Sequence, residues 1–408
     1  MHEEFCVCLG RREEVLIAIK QRGLKTIVFV DKQMPTPNLN LCDYFFHLDN
    51  LADTEKIVMI LAGFDKSKIK AIISPGEKGV RTAAELRAKL SIVGIGPDEI
   101  EKFRDKAIMK DILLEKKFRV PNYIDVKKSE TGYQFLEKFV EVIAKPKQGM
   151  GSVGVKRIKT EKDWLEYYEK FNQEKEQYHF SKGILLEESI QGEEYHIDAI
   201  IQDGEIKFAH ASMYSMPLID FRKYNFVGTI ALDPNTVLFK ELIEYNSEIL
   251  KALEVKNGVT HLECFKNDRE ICFCEIAIRP AGSAVSENLK IQTNIDIIDS
   301  FVAVEIGEKF IPDIKMLNGV TGSLQIPIYS NGIVTSLLSE KEIDMKDIIK
   351  INYLVDIGQR IETPTAAHER MGDIFVHADN LDDMIRKFKN IHLNFDTYVK
   401  VEENYEDK

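Results

Sequence analysis

Residues 144–158 read AKPKQGMGSVGVKRI and contain Gly149-Met150-Gly151-Ser152-Val153-Gly154. The spelling G-x-G-x-x-G belongs both to a dinucleotide fingerprint and to the glycine-rich loop of protein kinases. A dinucleotide fingerprint follows the first strand of a parallel sheet and opens a helix, whose N-terminus receives the pyrophosphate. Here the loop lies well inside the chain, and the VKRIK that follows reads as a strand. The position about 20 residues on offers no convincing ribose ligand. The kinase reading needs H-R-D-x-x-x-x-N and D-F-G downstream. Neither occurs, and YHIDAII at 195–201 lacks the Arg and the Asn. A third reading fits the hairpin context: a flexible loop folds over a triphosphate, its backbone N–H groups donating to phosphate oxygens. Lys145, just before the loop, then adds a fixed cation. The plainer alternative is an ordinary glycine-rich hairpin, and what surrounds the loop decides between them.

The chain has 408 residues, enough for two or three domains. Its formal net charge of -12 disfavours nucleic acid and anionic membranes as partners, since both call for clustered Lys and Arg. The basic run EKKFR at 115–119 reads as a solvated helix face. The N-terminus shows no secretion signal, and no apolar run approaches the roughly 18 residues of a membrane span. Cys6, Cys8, Cys42, Cys264, Cys272 and Cys274 lack C-x-x-C zinc spacing and read as small, reduced, buried thiols. A cytoplasmic protein is expected.

EFCVCL at 4–9, a helical RREEVLIAIKQRG and LKTIVFVD at 24–31 form a βαβ opening. With AIISP at 71–75 and the helical RTAAELRAKL at 81–90, residues 1–95 are expected to be a Rossmann-like α/β domain with a parallel sheet. Beyond Pro97 the texture changes to short strands at 140–146, 154–159, 183–189, 195–201 and 206–212, interrupted by a helix at 163–171, which is an α+β pattern. A helix at about 236–254 leads to the strand pair 260–265 and 269–280. The expected boundaries are 1–95, 96–182 with the glycine loop, 183–311 with a metal site, and 312–408.

Glu263 and Glu275 sit on the two strands of that last hairpin. Alternation puts His261, Glu263 and Phe265 on one face of the first strand and Phe273, Glu275, Ala277 and Arg279 on one face of the second. If the faces coincide, two carboxylates and a guanidinium share a partly dry surface next to Leu262, Cys264, Phe273 and Ile276. Two half-buried carboxylates repel unless a cation lies between them. Oxygen ligands without clustered His or Cys suit Mg²⁺. Arg279 keeps its proton and offers a planar fork of donors to a developing anion. The plainer reading is a structural ion-pair cluster.

Taken together, these segments resemble the ATP-grasp superfamily over roughly residues 1–310, each motif weak alone and the ordered set specific. Lys106, in RDKAIMKDILLEKKFRVP, matches the first phosphate-binding lysine, and Lys145 the second. GILLEESIQGEEYHIDAI matches the adenine and ribose segment. It implies an adenine hinge over Glu187, Glu188 and Ile190, and a ribose-binding acid at Glu194. Gly149, Gly151, Ser152 and Gly154 are implied as the ATP-covering loop. Glu263 and Glu275 are implied as metal ligands and Arg279 as the group that steadies an acyl phosphate. Many members carry Asn two residues after the second acid, where this sequence has Ala277. A small residue followed by R-x-x-G-S is closer to the L-amino-acid ligase branch, and Ser283 and Ser286 then fall on the substrate side.

The resemblance implies ATP as substrate and two Mg²⁺ ions, with Mn²⁺ as an alternative. A small carboxylate attacks the γ-phosphate, giving an acyl phosphate and ADP. An amine then forms the amide and releases phosphate. The partners implied are small-molecule carboxylate and amine substrates, with a homodimer allowed. A bicarbonate-activating relative and a non-catalytic nucleotide-binding protein are the alternatives. Glu77, in SPGEKGV, either reaches substrate or complements a helix dipole. His196 and His210 read as satisfied strand histidines. Arg222 and Lys223 read as a solvated loop, and His368, Glu369 and Arg370 as polar residues facing solvent.

Overall fold

The computed structural model describes residues 3–174, 183–220, 227–282, 284–338, 347–364 and 369–402. The first sheet is parallel, in the spatial order Tyr44–Leu48, Lys25–Asp31, Phe5–Leu9, Ile69–Ile73. Phe5–Leu9 is buried along its whole length, as a central strand covered on both faces must be. Tyr44–Leu48 is a strand that alternation does not reveal. It lies at the sheet edge with four of its five residues at least partly exposed, so it lacks a clean apolar period.

Asp105 caps the helix Lys106–Glu115, its side chain accepting from the N–H groups of Ala107 and Ile108 at 3.0 and 3.4 Å. The cap fixes Lys106 as the first helical residue, with Lys110 one turn on along the same face. A four-stranded antiparallel sheet follows, in the order Tyr123–Val126, Ile184–Glu188, Val142–Pro146, Lys156–Ile158. Its core is built on the fully buried Trp164 of the helix Glu161–Glu174. Trp164 presses on Gly132, where a Cβ would lie 2.3 Å from the indole.

The largest sheet has eight strands, all adjacent pairs antiparallel. Their order is Ile271–Ala277, Gly258–Lys266, Glu193–Gln202, Glu205–Tyr214, Gly228–Ala231, Val320–Ile326, Gly372–Ala378 and Ile348–Tyr353. The last three come from beyond residue 312, so the C-terminal region continues the sheet that carries the acidic pair. One face carries Ile197, Ala199 and Leu262, which pack with Leu242, Ile249 and Leu250 of the helix Val237–Ala252. Alternation sends Glu194, His196, Asp198, His261 and Glu263 to the opposite face.

The hairpin corrects one expectation. Glu263 pairs with Glu275, but Cys264 pairs with Phe273, so Cys274 is an extra residue in a β-bulge. The bulge resets the alternation. Phe273 packs with Leu262, Cys264 and Ile276 in the core on the far side, not beside Glu275. Cys274 and Glu275 both line the cleft instead.

Candidate active site

Two adjoining cavities, of about 190 and 240 Å³, share Lys106, Gly149, Met150, Gly151, Ser152, Glu263 and Glu275 along their walls. They form one cleft with two lobes. The larger lobe is lined by Ile143, Lys145, Val155, the stretch Glu187–Gln191 and Glu194. The smaller lobe is lined by Glu77, Arg104, Tyr214, Thr229, His261, Ala277 and Arg279, and by Ser323 and Gln325 from the strand Val320–Ile326.

Each cation of the cleft is paired with an acid of the cleft. Lys106 Nζ lies 2.9 Å from Glu275 and donates to the carbonyl of Gly149 at 3.1 Å, which ties the helix start to the glycine loop. Lys145 lies 2.7 Å from Glu187. Glu187 also meets Lys110 at 2.9 Å, and Lys110, fully buried, donates to the carbonyl of Cys274 at 2.7 Å. Burial works against the charge of Lys145, yet Glu187, Cys274 and Glu275 more than offset it and hold the ammonium above its ordinary range. Burial wins at Lys110, whose ammonium is pulled down. Glu275 resists burial through Lys106 and Lys145 and is lowered to about 2.

Glu194 behaves oppositely. Burial, with Glu263 and Glu275 close by, pushes it up to about 8, although the N–H of Leu218 donates to it at 2.7 Å. Side-chain atoms of Glu194, Glu263 and Cys274 lie within 4.8 Å of one another. Clustered acids with one carboxyl driven towards protonation lack positive charge, and the oxygens of Glu263 and Glu275 fit a hard divalent cation.

Glu77 stands on the turn after Ile69–Ile73 and reaches into the smaller lobe. Arg279 Nε donates to it at 2.8 Å, and Arg104 pairs with its other oxygen. Burial raises the Glu77 carboxyl, and the two guanidinium groups outweigh it and hold it low. Arg279 also donates to the carbonyl of Pro280 at 2.9 Å. Behind Glu263 runs a buried chain. Tyr214 donates to Glu263 at 3.1 Å, and His261 Nε2 lies 3.3 Å from the same oxygen. His261 and His196 each place Nδ1 2.9 Å from one oxygen of Asp198. His196 Nε2 reaches the Thr229 hydroxyl at 2.6 Å. The expectation of satisfied strand histidines holds for His196 and fails for His210, which is buried with neither ring nitrogen hydrogen-bonded among the described residues.

Among the sequence candidates, Lys106, Lys145, Gly149, Gly151, Ser152, Glu187, Glu188, Ile190, Glu194, Glu263, Glu275 and Arg279 all line this cleft. Gly154 does not, and its carbonyl anchors the end of the loop by accepting from Tyr167 at 2.8 Å. Ser286 also turns away. It donates to the carbonyl of Ala281 and accepts from Arg12, because it lies in the first turn of the helix Val285–Thr293 against the first domain. Ser283, Arg222, Lys223 and His368 lie outside the described residues. Arg370 pairs with Asp373 at 2.6 Å. Residues that sequence reading missed are Arg104, Lys110, Tyr214, Asp198, His261, Thr229, Ser323 and Gln325. Lys110 carried a signal, its i+4 spacing from Lys106. Ser323 and Gln325 carried none, since only the sheet order brings their strand to the cleft.

A cleft between a glycine-loop sheet and an acid-bearing antiparallel sheet is the arrangement of the ATP-grasp fold. Residues 138–287 match the ATP-grasp domain family model, and the chain carries that domain on the ATP-grasp fold. An L-arginine-specific L-amino acid ligase of Bacillus subtilis is 22% identical over 355 residues, covering 84% of this chain and 83% of that relative. The L-amino acid ligase of Bacillus licheniformis superposes with a TM-score of 0.78 at 16% identity, over 99% of this chain and 100% of that one. A biotin carboxylase of Campylobacter jejuni superposes at 0.69 with 17% identity, over 96% and 95%. No described helix is long and apolar enough to cross a membrane.

Proposed function

We propose that the protein is an ATP-dependent carboxylate–amine ligase that activates a small carboxylate, an amino acid by preference, as an acyl phosphate and joins it to an amine. The observation that carries the reading is the two-lobed cleft, with Lys106, Glu263, Glu275 and the glycine loop at its waist. The larger lobe takes ATP, with Lys145 and Lys106 on its phosphates and the backbone of Glu188–Ile190 against the adenine edge. Glu194 takes the ribose. The smaller lobe takes the carboxylate against Arg279. Glu263 and Glu275 would hold Mg²⁺, which supplies charge neutralisation between phosphate oxygens.

In-line attack of the carboxylate oxygen on the γ-phosphorus forms the acyl phosphate and releases ADP. Attack of the amine nitrogen on the acyl carbon then expels phosphate and leaves the amide. The chain's own contribution is positioning. Arg279 orients the carboxylate and faces the charge that develops on it. The glycine loop, tethered at Gly149 by Lys106 and at Gly154 by Tyr167, closes over the phosphates and keeps water from the acyl phosphate. The Ala277 side chain offers no ligand atom, so on that side Glu275 would be the side chain that holds the ion. The L-amino acid ligase relative supports an amino acid as the activated acid.

The test is ADP and phosphate release with Mg-ATP against amino acids singly and in pairs, with bicarbonate as a separate arm. ADP release that needs amino acids, with a dipeptide mass in the product, supports the reading. Release with bicarbonate alone overturns it in favour of a carboxylating enzyme.

A further inference from the structure

The hydrogen-bond chain behind Glu263 has a direction, and the direction ends at the pocket wall. Thr229 lies on the strand Gly228–Ala231, opposite Tyr214 on one side and Ser323 on the other. It is buried and lines the smaller lobe. Its Oγ1 is 2.6 Å from His196 Nε2. The next links are His196 Nδ1 to one oxygen of Asp198 and His261 Nδ1 to the other, each 2.9 Å. An ionised carboxylate only accepts, so both histidines carry their protons on Nδ1. His196 is fully buried, and desolvation outweighs the pull of Asp198 and keeps its ring neutral. A neutral His196 protonated on Nδ1 has a bare Nε2, which can only accept. Thr229 therefore spends its one proton on His196.

We propose that Thr229 is a specificity-determining residue whose hydroxyl oxygen, its proton pinned by His196, acts as an acceptor-only contact in the substrate lobe and selects a substrate bringing an N–H to it. The inference rests on the ligase reading and narrows it. An ammonium or amine nitrogen satisfies the lone pairs, whereas a carboxylate, phosphate or ether oxygen at that place would face them unpaired. The N–H has two sources, the α-amino group of the activated acid and the amine that attacks it. Polar pockets of this kind reject analogues lacking the donor far more strongly than apolar pockets reject a missing methylene.

The experiment measures KM and kcat for each amino-acid substrate, for the des-amino analogue of the activated acid and for ATP, in the native protein and in Thr229→Val, Thr229→Ala and Thr229→Ser. Thr229→Val keeps the shape and removes the lone pairs, and Thr229→Ala serves if the valine variant does not fold. The expected result is an amino-acid KM raised about tenfold, with the KM for ATP within about twofold of native and restoration in Thr229→Ser. Lost discrimination against the des-amino acid assigns the N–H to the activated acid. A KM change confined to the nucleophile assigns it to the attacking amine. Native KM values in Thr229→Val or Thr229→Ala, or equal damage in the valine and serine variants, overturn the inference while leaving the ligase reading intact. A native protein that releases no ADP with any amino acid overturns both.

Discussion

Arg279 Nε donates to Glu77 Oε1 over 2.8 Å, joining the acid-bearing hairpin to the first domain across 202 positions of sequence. Arg104 holds the other oxygen of Glu77, so one carboxylate orients two guanidinium groups at the wall of the smaller lobe. Arg279 lines the lobe where a substrate carboxylate is proposed to bind, and these contacts fix its rotamer in advance.

Glu77→Ala is expected to lower kcat/KM for the carboxylate by about 100-fold, the scale of misplacing a group that positions substrate. It also leaves the buried Arg104 with the Gln148 carbonyl but no carboxylate partner, a change that costs about 3–5 kcal/mol of stability. Steady-state ADP release and denaturant unfolding read the two effects separately. Native turnover in a folded Glu77→Ala protein would remove Glu77 from the site.

Glu275 is the partner of Lys106 and a proposed metal ligand. Glu275→Ala is expected to reduce amide formation below detection, on the order of 1,000-fold in kcat or more, as loss of a central electrostatic group does. Raising Mg²⁺ should not restore it, because the lost ligand also held the lysine. Product mass and ADP release check this, and retained turnover would sink the assignment of the metal site.

The acid cluster makes stability depend on pH when no cation is bound. Glu194 is raised to about 8 and His261 to about 10, so between pH 7 and 8 the folded protein binds more protons than the unfolded chain. Stability therefore falls as pH rises through that window, by roughly 1.4 kcal/mol per pH unit for each group held protonated. Mg-ADP should flatten the slope by supplying the missing charge. Glu194→Gln should remove the part due to that carboxyl. Denaturant unfolding at pH 7 and pH 8 measures it, and a rising slope in the metal-free protein would contradict the assignment.

Gly151 and Gly154 hold φ of +59° and +73°, the left-handed region that a β-branched side chain adopts only under strain. Gly154→Val, away from the cleft wall, is expected to strain the loop by about 1–2 kcal/mol. Its functional mark is uncoupling, with more phosphate released per amide formed because water reaches the acyl phosphate. The ratio of phosphate to product reads this directly, and a native ratio would mean the loop does not seal the site.

Much of this protein is local and was therefore legible in its sequence. Asp105-Lys106 is a cap followed by the residue that it fixes. The glycine loop between two strands excluded a dinucleotide fold through what came after it. The run of apolar residues in Phe5–Leu9 and Lys25–Asp31 announced a parallel sheet buried on both faces. The two acids and Arg279 stood at spacings that put them near one another. Other features exist only once strands pair. The bulge at Cys274 turns Phe273 into the core and Cys274 towards the cleft, and it follows from the register between two strands, which alternation within one strand does not encode. Glu77 gained its neighbours from domains that meet in space, not in sequence. Ser323 and Gln325 reach the substrate lobe because Val320–Ile326 adds to the sheet beside Gly228–Ala231. The path from Glu263 to Thr229 exists only because neighbouring strands are in register and bring the Nδ1 atoms of His196 and His261 to the two oxygens of Asp198.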